Sequence, residues 1–209
     1  QGELDSYYVT PTDNLLLSGA AVQLSASGLD THYYPTSGYE VEWEVTEGGG
    51  TVDENGLFTA GTESGTSQVT ADDGYASGTV SITTVSTPDS ITLSDESTGA
   101  AVTALNLDPG EQVDLKALAS YRGLDLTAQD TCFIWTADPT VGTVDKYGVF
   151  TAGEKSASGT LTVSAGGKAL TISVSVAGHV NTLEDLEGGM DTFTATDTAV
   201  PAVETGLEY

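Results

Sequence analysis

Basic residues are the scarcest chemical feature of this 209-residue chain. It has 5 Lys and Arg against 31 Asp and Glu, for a formal net charge of −26. A field of this sign repels the phosphates of nucleic acids and of anionic lipid headgroups. We therefore expect no nucleic-acid partner, and we interpret the acidic residues as a solvated surface. Cations are the ligands that such a field favours.

Cysteine, histidine and long apolar runs are also scarce. The single cysteine, Cys132, allows no disulfide within the chain, and no run of about 18 apolar residues predicts membrane insertion. His32 and His179 lie in different halves of the sequence and form no zinc-binding spacing. No nucleophile elbow, phosphate loop or dinucleotide fingerprint occurs. We therefore predict no catalytic residues and no organic cofactor.

The most informative feature of the sequence is an internal repeat without gaps. The stretch 43–61, WEVTEGGGTVDENGLFTAG, recurs at 135–153 as WTADPTVGTVDKYGVFTAG. The offset is too long for a solenoid repeat of about 20–50 residues and suits a β-sandwich of about 100 residues. The sequence thus predicts two copies of one small domain, and we interpret the shared motif as structural.

Alternating residues predict antiparallel strands in both copies. In the stretch 39–45, Tyr39, Val41, Trp43 and Val45 lie on one face and the glutamates between them on the other. Asp-Glu-Asn-Gly at 53–56 and Asp-Asp-Gly at 72–74 are turn sequences. Since helix signals are almost absent, the pattern predicts an all-β chain.

Four aromatic residues of the repeat are predicted to be structural core: Trp43, Phe58, Trp135 and Phe150. Exposed tryptophans could instead serve as stacking platforms for sugars. We favour the core interpretation, because both tryptophans lie on alternating strands and a buried indole between two sheets is common in sandwiches.

The repeat also sets the predicted domain bounds. Residues 1–87 form the first domain and 88–178 the second, with a short connection at Ser86–Asp89 that Pro88 stiffens. Residues 179–209 have no counterpart of the repeat and are too few to bury their own core. They are interpreted either as the start of a third β domain or as a tail packed on the second.

The repeated motif resembles the bacterial immunoglobulin-like domain, group 2 family. Its signature here is a Trp followed by Gly-Thr-Val-Asp, a turn Gly, Phe-Thr-Ala-Gly and a Thr-Val-Ser-Ala strand. The resemblance covers residues 1 to about 177. It implies two tandem immunoglobulin-like β-sandwiches, of the kind found as extracellular stalks in adhesins, cell-wall proteins and glycan-active enzymes.

A second resemblance concerns the C-terminal segment. The stretch 183–189, LEDLEGG, with Phe193, is similar to the first strand of galactose-binding-like jelly-roll domains. In Firmicutes multidomain proteins that order can accompany a phosphodiester glycosidase. Because the jelly-roll first strand often contributes calcium ligands, the resemblance implies Glu184, Asp185 and Glu187 as candidate calcium ligands.

Five tyrosines cluster in the first copy, namely Tyr7, Tyr8, Tyr33, Tyr34 and Tyr39. We favour packing at the ends of the sandwich as their role. The alternative is binding to a glycan or a protein. For that role Tyr33 and Tyr34 are the best candidates, because they precede a proline in a loop and loops carry function.

Three functional hypotheses follow. The leading one is a non-catalytic extracellular spacer that presents neighbouring domains of the same protein. The second is an adhesive module whose loops bind a cell-wall or host glycan or a host protein, and the third is an accessory region of a glycan-active enzyme. All three imply a secreted or cell-surface bacterial protein. Because the chain starts at Gln1 with no visible signal peptide, we expect it to be part of a longer protein.

Overall fold

The computed structural model describes residues 2–178. Apart from a short 3₁₀ turn at Asp130–Cys132, every regular element among these residues is a β-strand. The predicted all-β fold of two tandem sandwiches is confirmed. The predicted third segment, 179–209, lies outside the described residues.

The first sandwich has nine strands. They are β1 Leu4–Thr10, β2 Leu15–Leu17, β3 Ala21–Gln23, β4 Ser25–Asp30, β5 Glu42–Glu47, β6 Thr51–Val52, β7 Leu57–Thr59, β8 Gly65–Asp72 and β9 Ser77–Val85. One sheet has the order β2-β9-β8-β5. The other layer consists of the pair β1-β4 and the sheet β3-β7-β6. Only Leu24 separates β3 from β4, so the two behave as one interrupted strand.

The second sandwich repeats this topology. Its strands are β10 Ser90–Asp95, β11 Ala104–Leu107, β12 Gln112–Tyr121, β13 Leu124–Asp125, β14 Ile134–Ala137, β15 Gly142–Val144, β16 Val149–Ala152, β17 Ala157–Ala165 and β18 Lys168–Val176. One sheet has the order β11-β18-β17-β14, and the other β10-β12-β16-β15 with β13 paired to β12. In both sandwiches the second strand pairs in parallel with the last, β2 with β9 and β11 with β18.

The aromatic residues of the motif lie at different depths. Phe58 and Phe150 are fully buried, with 0% of each exposed. Trp43 and Trp135 are only partly buried and pack against the same core. Among the described residues, the buried Trp135 Nε1 has no hydrogen-bond partner. The phenylalanines therefore form the centre of each core, and the tryptophans cover its margin.

The aspartate of Gly-Thr-Val-Asp holds the turn of a hairpin. Asp53 Oδ1 accepts hydrogen bonds from the backbone N–H groups of Asn55 (2.9 Å) and Leu57 (2.8 Å). Asp145 accepts the equivalent pair in the second copy, at 2.9 and 3.0 Å. A short acidic side chain that bonds backbone two residues on is a common stabiliser of tight turns. The motif is therefore explained by local structure.

The glycine of the same motif is required by close packing. Gly50 has φ +96° and Gly142 has φ +146°, conformations that residues with a Cβ rarely adopt. A Cβ built on Gly50 would lie 2.6 Å from Phe58 Cζ, and one on Gly142 would lie 3.0 Å from Phe150 Cζ. The motif thus pairs a glycine with the phenylalanine that packs against it.

The prediction that Tyr39 faces the core is wrong. Strand β5 begins only at Glu42, so the alternation does not extend back to Tyr39. The Tyr39 side chain is 71% exposed. Its neighbours Val41 and Val45 pack against the core as expected.

Candidate functional site: the domain joint and the tyrosine surface

The two sandwiches are joined by β-type hydrogen bonds as well as by the chain itself. Strand β2 is an edge strand of the first sandwich, and its free side pairs with Thr127 of the second. Leu17 N–H donates to Thr127 O at 3.0 Å, and Thr127 N–H donates to Leu15 O at 2.9 Å. The sheet of the first sandwich is therefore extended by backbone of the second.

A glutamine side chain adds two bonds beside this pairing. Gln129 Nε2 donates to Ala21 O at 2.8 Å, and Gln129 Oε1 accepts from Ala21 N–H at 2.8 Å. The Gln129 side-chain amide thus bonds both the backbone N–H and the backbone C=O of Ala21, as the backbone of a neighbouring strand would. Four hydrogen bonds in all connect 15–21 to 127–129.

Apolar packing continues across the same boundary. Leu16 and Leu17 of the first sandwich and Leu126 of the second are buried and belong to one continuous core cluster. The turn between β17 and β18 lies against the connection, because a Cβ built on Gly166 would overlap Ser86 O and lie 3.2 Å from Pro88 Cδ. We call this region, 15–21 with 86–88, 126–129 and 166, the domain joint.

The opposite end of the first sandwich carries exposed tyrosines. Tyr33 and Tyr34 are 79% and 69% exposed, and Tyr33 has a left-handed backbone with φ 64°. The buried Asp30 carboxylate holds this loop by accepting from His32 N–H (2.9 Å) and Tyr34 N–H (3.0 Å). Those donors hold the pKa of Asp30 below its ordinary value, Tyr34 N–H more strongly. The expected packing of Tyr33 and Tyr34 at the sandwich end is wrong, and both present their rings to solvent.

A buried tyrosine ties two loops together at this end. Tyr7 Oη donates to Asp73 Oδ2 at 2.7 Å and accepts from Tyr39 N–H at 2.8 Å. Burial, and then the bond to Asp73, raise the pKa of Tyr7. The Tyr7 side chain thus fixes the loop that ends β4 relative to the turn between β8 and β9.

Each of these two loops contributes one more exposed tyrosine to a shared cleft. Tyr39 and Tyr75, which are 71% and 93% exposed, line a cleft of about 550 Å³ together with Glu3, Thr36 and Ser37. Tyr33 and Tyr34 lie on the same loop as Tyr39. We call Tyr33, Tyr34, Tyr39 and Tyr75 the tyrosine surface.

The charge of the first domain is of one sign. Residues 1–87 contain 13 Asp and Glu and no Lys or Arg, so all five basic residues of the chain belong to the second domain. Beside the tyrosine surface, Glu40, Glu42, Glu44 and Asp72 line an open groove along β5. The tyrosines are therefore flanked by carboxylates.

Sequence reasoning found part of this surface. The predicted binding candidates Tyr33 and Tyr34 lie on it. The sequence does not indicate Tyr75, because a single aromatic residue in a turn belongs to no periodic pattern.

The calcium candidates Glu184, Asp185 and Glu187 lie outside the described residues. Within 2–178, no group of three or more His, Cys, Asp or Glu is placed to hold a metal ion. No helix in that range is long and apolar enough to cross a membrane.

Hydrogen bonds to carboxylates make stability depend on pH. Four aspartates have a pKa below the ordinary value, because backbone N–H donors, or the Ser97 hydroxyl in the case of Asp95, stabilise the charged form in the folded state. They are Asp30, Asp73, Asp95 and Asp138. Burial, and then the nearby charge of Glu96, shift the pKa of Asp114 the other way, upward.

The expected pH profile follows from these directions. A carboxyl with a depressed folded-state pKa contributes stability above its unfolded pKa, and loses it as the pH falls through the folded pKa. Lowering the pH from about 7 to about 5 also reduces the repulsion among the carboxylates that give the −26 net charge. Because the pKa of Asp114 is raised in the folded state, protonation of Asp114 in this range favours folding. We expect Tm to stay level or to rise over that range, and to fall below about pH 4.

Thermal unfolding followed at successive pH values measures this profile. The variant Asp138→Asn keeps an oxygen to accept from Thr140 but removes one titrating group, so its loss of Tm in acid should be shallower than that of the wild type. A steady fall of wild-type Tm between about pH 7 and 5 would contradict the assignment.

Comparisons with known proteins give a fold likeness. No family model matches the chain, and no curated protein matches it. Among solved structures, domains 5–6 of the S-layer protein SbsC are 17% identical, with a TM-score of 0.37 over 86% of this chain and 100% of that one. The Yersinia pseudotuberculosis adhesin InvE is 16% identical, with a TM-score of 0.35 over 82% of this chain and 58% of that one. The Escherichia coli adhesin FdeC is 16% identical, with a TM-score of 0.32 over 85% and 65%.

These matches are distant. The chain spans 28% of the length of a longer SbsC structure that it also resembles. It is thus similar to β-domains of S-layer and adhesin proteins. Membership of the group 2 family and the jelly-roll character of the tail remain predictions.

Proposed function

We propose that this chain is a non-catalytic spacer that presents neighbouring domains of one protein, either at the surface of a bacterial cell or in a secreted bacterial protein. The observation that carries the proposal is the domain joint. Tandem domains joined only by a linker are expected to move relative to one another. Here four hydrogen bonds and a shared apolar cluster couple the two sandwiches, and a spacer needs such coupling in order to hold its neighbours apart.

The joint also gives a structural role to residues outside the repeated motif. Gln129 and Gly166 are not part of that motif, yet both lie where the domains meet. The resemblance of the repeated motif to the group 2 immunoglobulin-like family supports this role, since such modules are commonly repeated as stalks.

The spacer proposal is tested by distances between the domains. Spin labels at Glu54→Cys and Lys146→Cys, in a Cys132→Ala background, report from equivalent exposed hairpin turns of the two sandwiches. We expect one narrow distance distribution. The variant Gly166→Ala should shift or broaden it, because the new Cβ overlaps Ser86 O.

Gly167→Ala is the matched control for this experiment. Gly167 also has a positive φ, of 80°, but no atom lies within 4 Å of the added Cβ. It should therefore strain the turn without displacing the connection, and leave the distribution narrow. A broad wild-type distribution, or equal broadening by both variants, would contradict the proposal.

An adhesive module is the second candidate function, and the exposed tyrosines favour it. Tyr33 and Tyr34 lie in a loop that Asp30 holds in place, and Tyr39 and Tyr75 add an adjacent cleft. The third hypothesis, an accessory region of a phosphodiester glycosidase-type enzyme, depends on the jelly-roll resemblance of 183–193, which lies outside the described residues.

A further inference from the structure

We propose that the tyrosine surface docks a basic protein segment, one that presents arginine side chains to the rings of Tyr39 and Tyr75. The inference rests on the adhesive candidate function and is independent of the spacer function, which the distance measurements test separately.

The same end of the fold is already a docking face in the second sandwich. There, the turn at Gly166 lies against the connection between the domains, and the segment 126–129 bonds to the first sandwich. In the first sandwich the corresponding elements are the turn between β8 and β9 and the loop after β4. The tyrosine surface therefore occupies the position that serves as an interface one domain later.

This end of the fold differs between the two sandwiches. The two-residue turn of the second sandwich, Gly166-Gly167, is replaced by a four-residue turn at 73–76 that carries Tyr75. Where the second sandwich has small residues that allow close backbone approach, the first sandwich thus has large exposed rings and carboxylates. Such an end does not fit the tight joint seen between the two sandwiches, so a different kind of partner is expected.

The surface lies far from the joint. Strand β9 starts at Ser77, beside Tyr75, and ends at Val85, which pairs with Leu17 in the joint. Nine residues of extended strand span about 30 Å. A partner bound at the tyrosines would therefore leave the joint undisturbed.

The surface is held in place before any partner arrives. The Tyr7 hydroxyl bonds both the loop of Tyr39 and the turn of Tyr75, and the Asp30 carboxylate holds the loop of Tyr33 and Tyr34. Ordering a loop costs free energy on binding, so a preorganised surface binds more tightly. Tyrosine offers a large contact area with little rotamer entropy to lose.

Charge selects the partner. Thirteen carboxylates and no Lys or Arg in residues 1–87 repel anionic polymers and attract cations. The tyrosine face attracts a guanidinium by a cation–π interaction, and flanking carboxylates bind it bidentately. Tyr and Arg are also, with Trp, the residue types enriched in interface hot spots. An arginine-bearing segment satisfies both features of the surface, whereas a neutral glycan uses only the rings.

The test uses the full chain, with a synthetic peptide of repeated Gly-Ser-Arg as the probe. Calorimetric titration of the chain with this peptide measures the affinity. We expect binding that weakens with salt and that the double variant Tyr39→Ala/Tyr75→Ala reduces by about tenfold or more. Tyr147→Ala, which removes a 49% exposed tyrosine from the second domain, is the matched control and should change affinity less than about twofold. A peptide with lysine in place of arginine should bind more weakly at equal charge.

Tyr7→Phe separates positioning from contact. It removes the hydroxyl that ties the two loops but leaves every exposed ring in place, so it should weaken the arginine peptide less than the double variant does. Equal losses in the double variant and Tyr147→Ala would overturn the proposal, because binding would then reflect net charge alone. Tyrosine-dependent binding of a neutral oligosaccharide without binding of the arginine peptide would also overturn it. So would tyrosine-dependent dimerisation of the chain in sedimentation.

Discussion

Replacing Phe58 or Phe150 with alanine is expected to lower the free energy of unfolding by about 3–5 kcal/mol, the range for removing a fully buried large aromatic side chain. Both rings are 0% exposed and lie at the centre of their sandwich cores. The loss combines the transfer of the ring to water with the cavity that rigid surrounding strands cannot fill. Calorimetric or urea unfolding of each variant measures it.

Leu57→Ala is the control for the first of these changes. Leu57 precedes Phe58 on the same strand but faces outward and is 39% exposed, so its removal should cost less than about 1 kcal/mol. A loss at Phe58 no larger than that at Leu57 would show that the phenylalanine does not hold the core.

Replacing Gly50 or Gly142 with alanine is expected to cost about 2–5 kcal/mol. Placing a residue with a Cβ in a left-handed conformation costs about 1–2 kcal/mol, and overpacking against the neighbouring phenylalanine adds about 1–3 kcal/mol. The clash is specific: the Cβ on Gly50 would lie 2.6 Å from both Phe58 Cζ and Thr59 O. Backbone cannot move aside as the end of a flexible side chain can.

Gly49→Ala is the matched control, one residue away. An added Cβ on Gly49 meets no atom within 4 Å, and its φ is not in the left-handed range. Its hydrogen bonds to Ser67 use backbone atoms, which alanine retains. Unfolding free energies for the Gly49 and Gly50 variants should differ by about 2 kcal/mol or more. Indistinguishable values would contradict the account of the motif.

The repeat made the fold predictable. A motif recurring at domain spacing predicted two sandwiches, and the residues it shares each have a local structural reason: the glycine that packs on a phenylalanine, and the aspartate that bonds its own turn. These interactions join residues within about ten positions of one another, so sequence spacing alone indicates them.

The joint and the tyrosine surface could be predicted only in part. Gln129 and Ala21 are 108 positions apart, and nothing in the local pattern of either residue indicates that they meet. Alternation through 39–45 predicts Tyr39 on the core face, but β5 begins only at Glu42. Alternation identifies which face a residue takes within a strand, but it does not locate the residue at which that strand begins.

The central claim is that the two sandwiches form one coupled body, and residual dipolar couplings of backbone amides test it most directly. If the joint holds, couplings from 4–85 and from 90–176 will fit a single alignment tensor, and Gly166→Ala will separate them into two. Wild-type couplings that require two different tensors, with smaller magnitude in one domain, would show independent motion and would contradict the account.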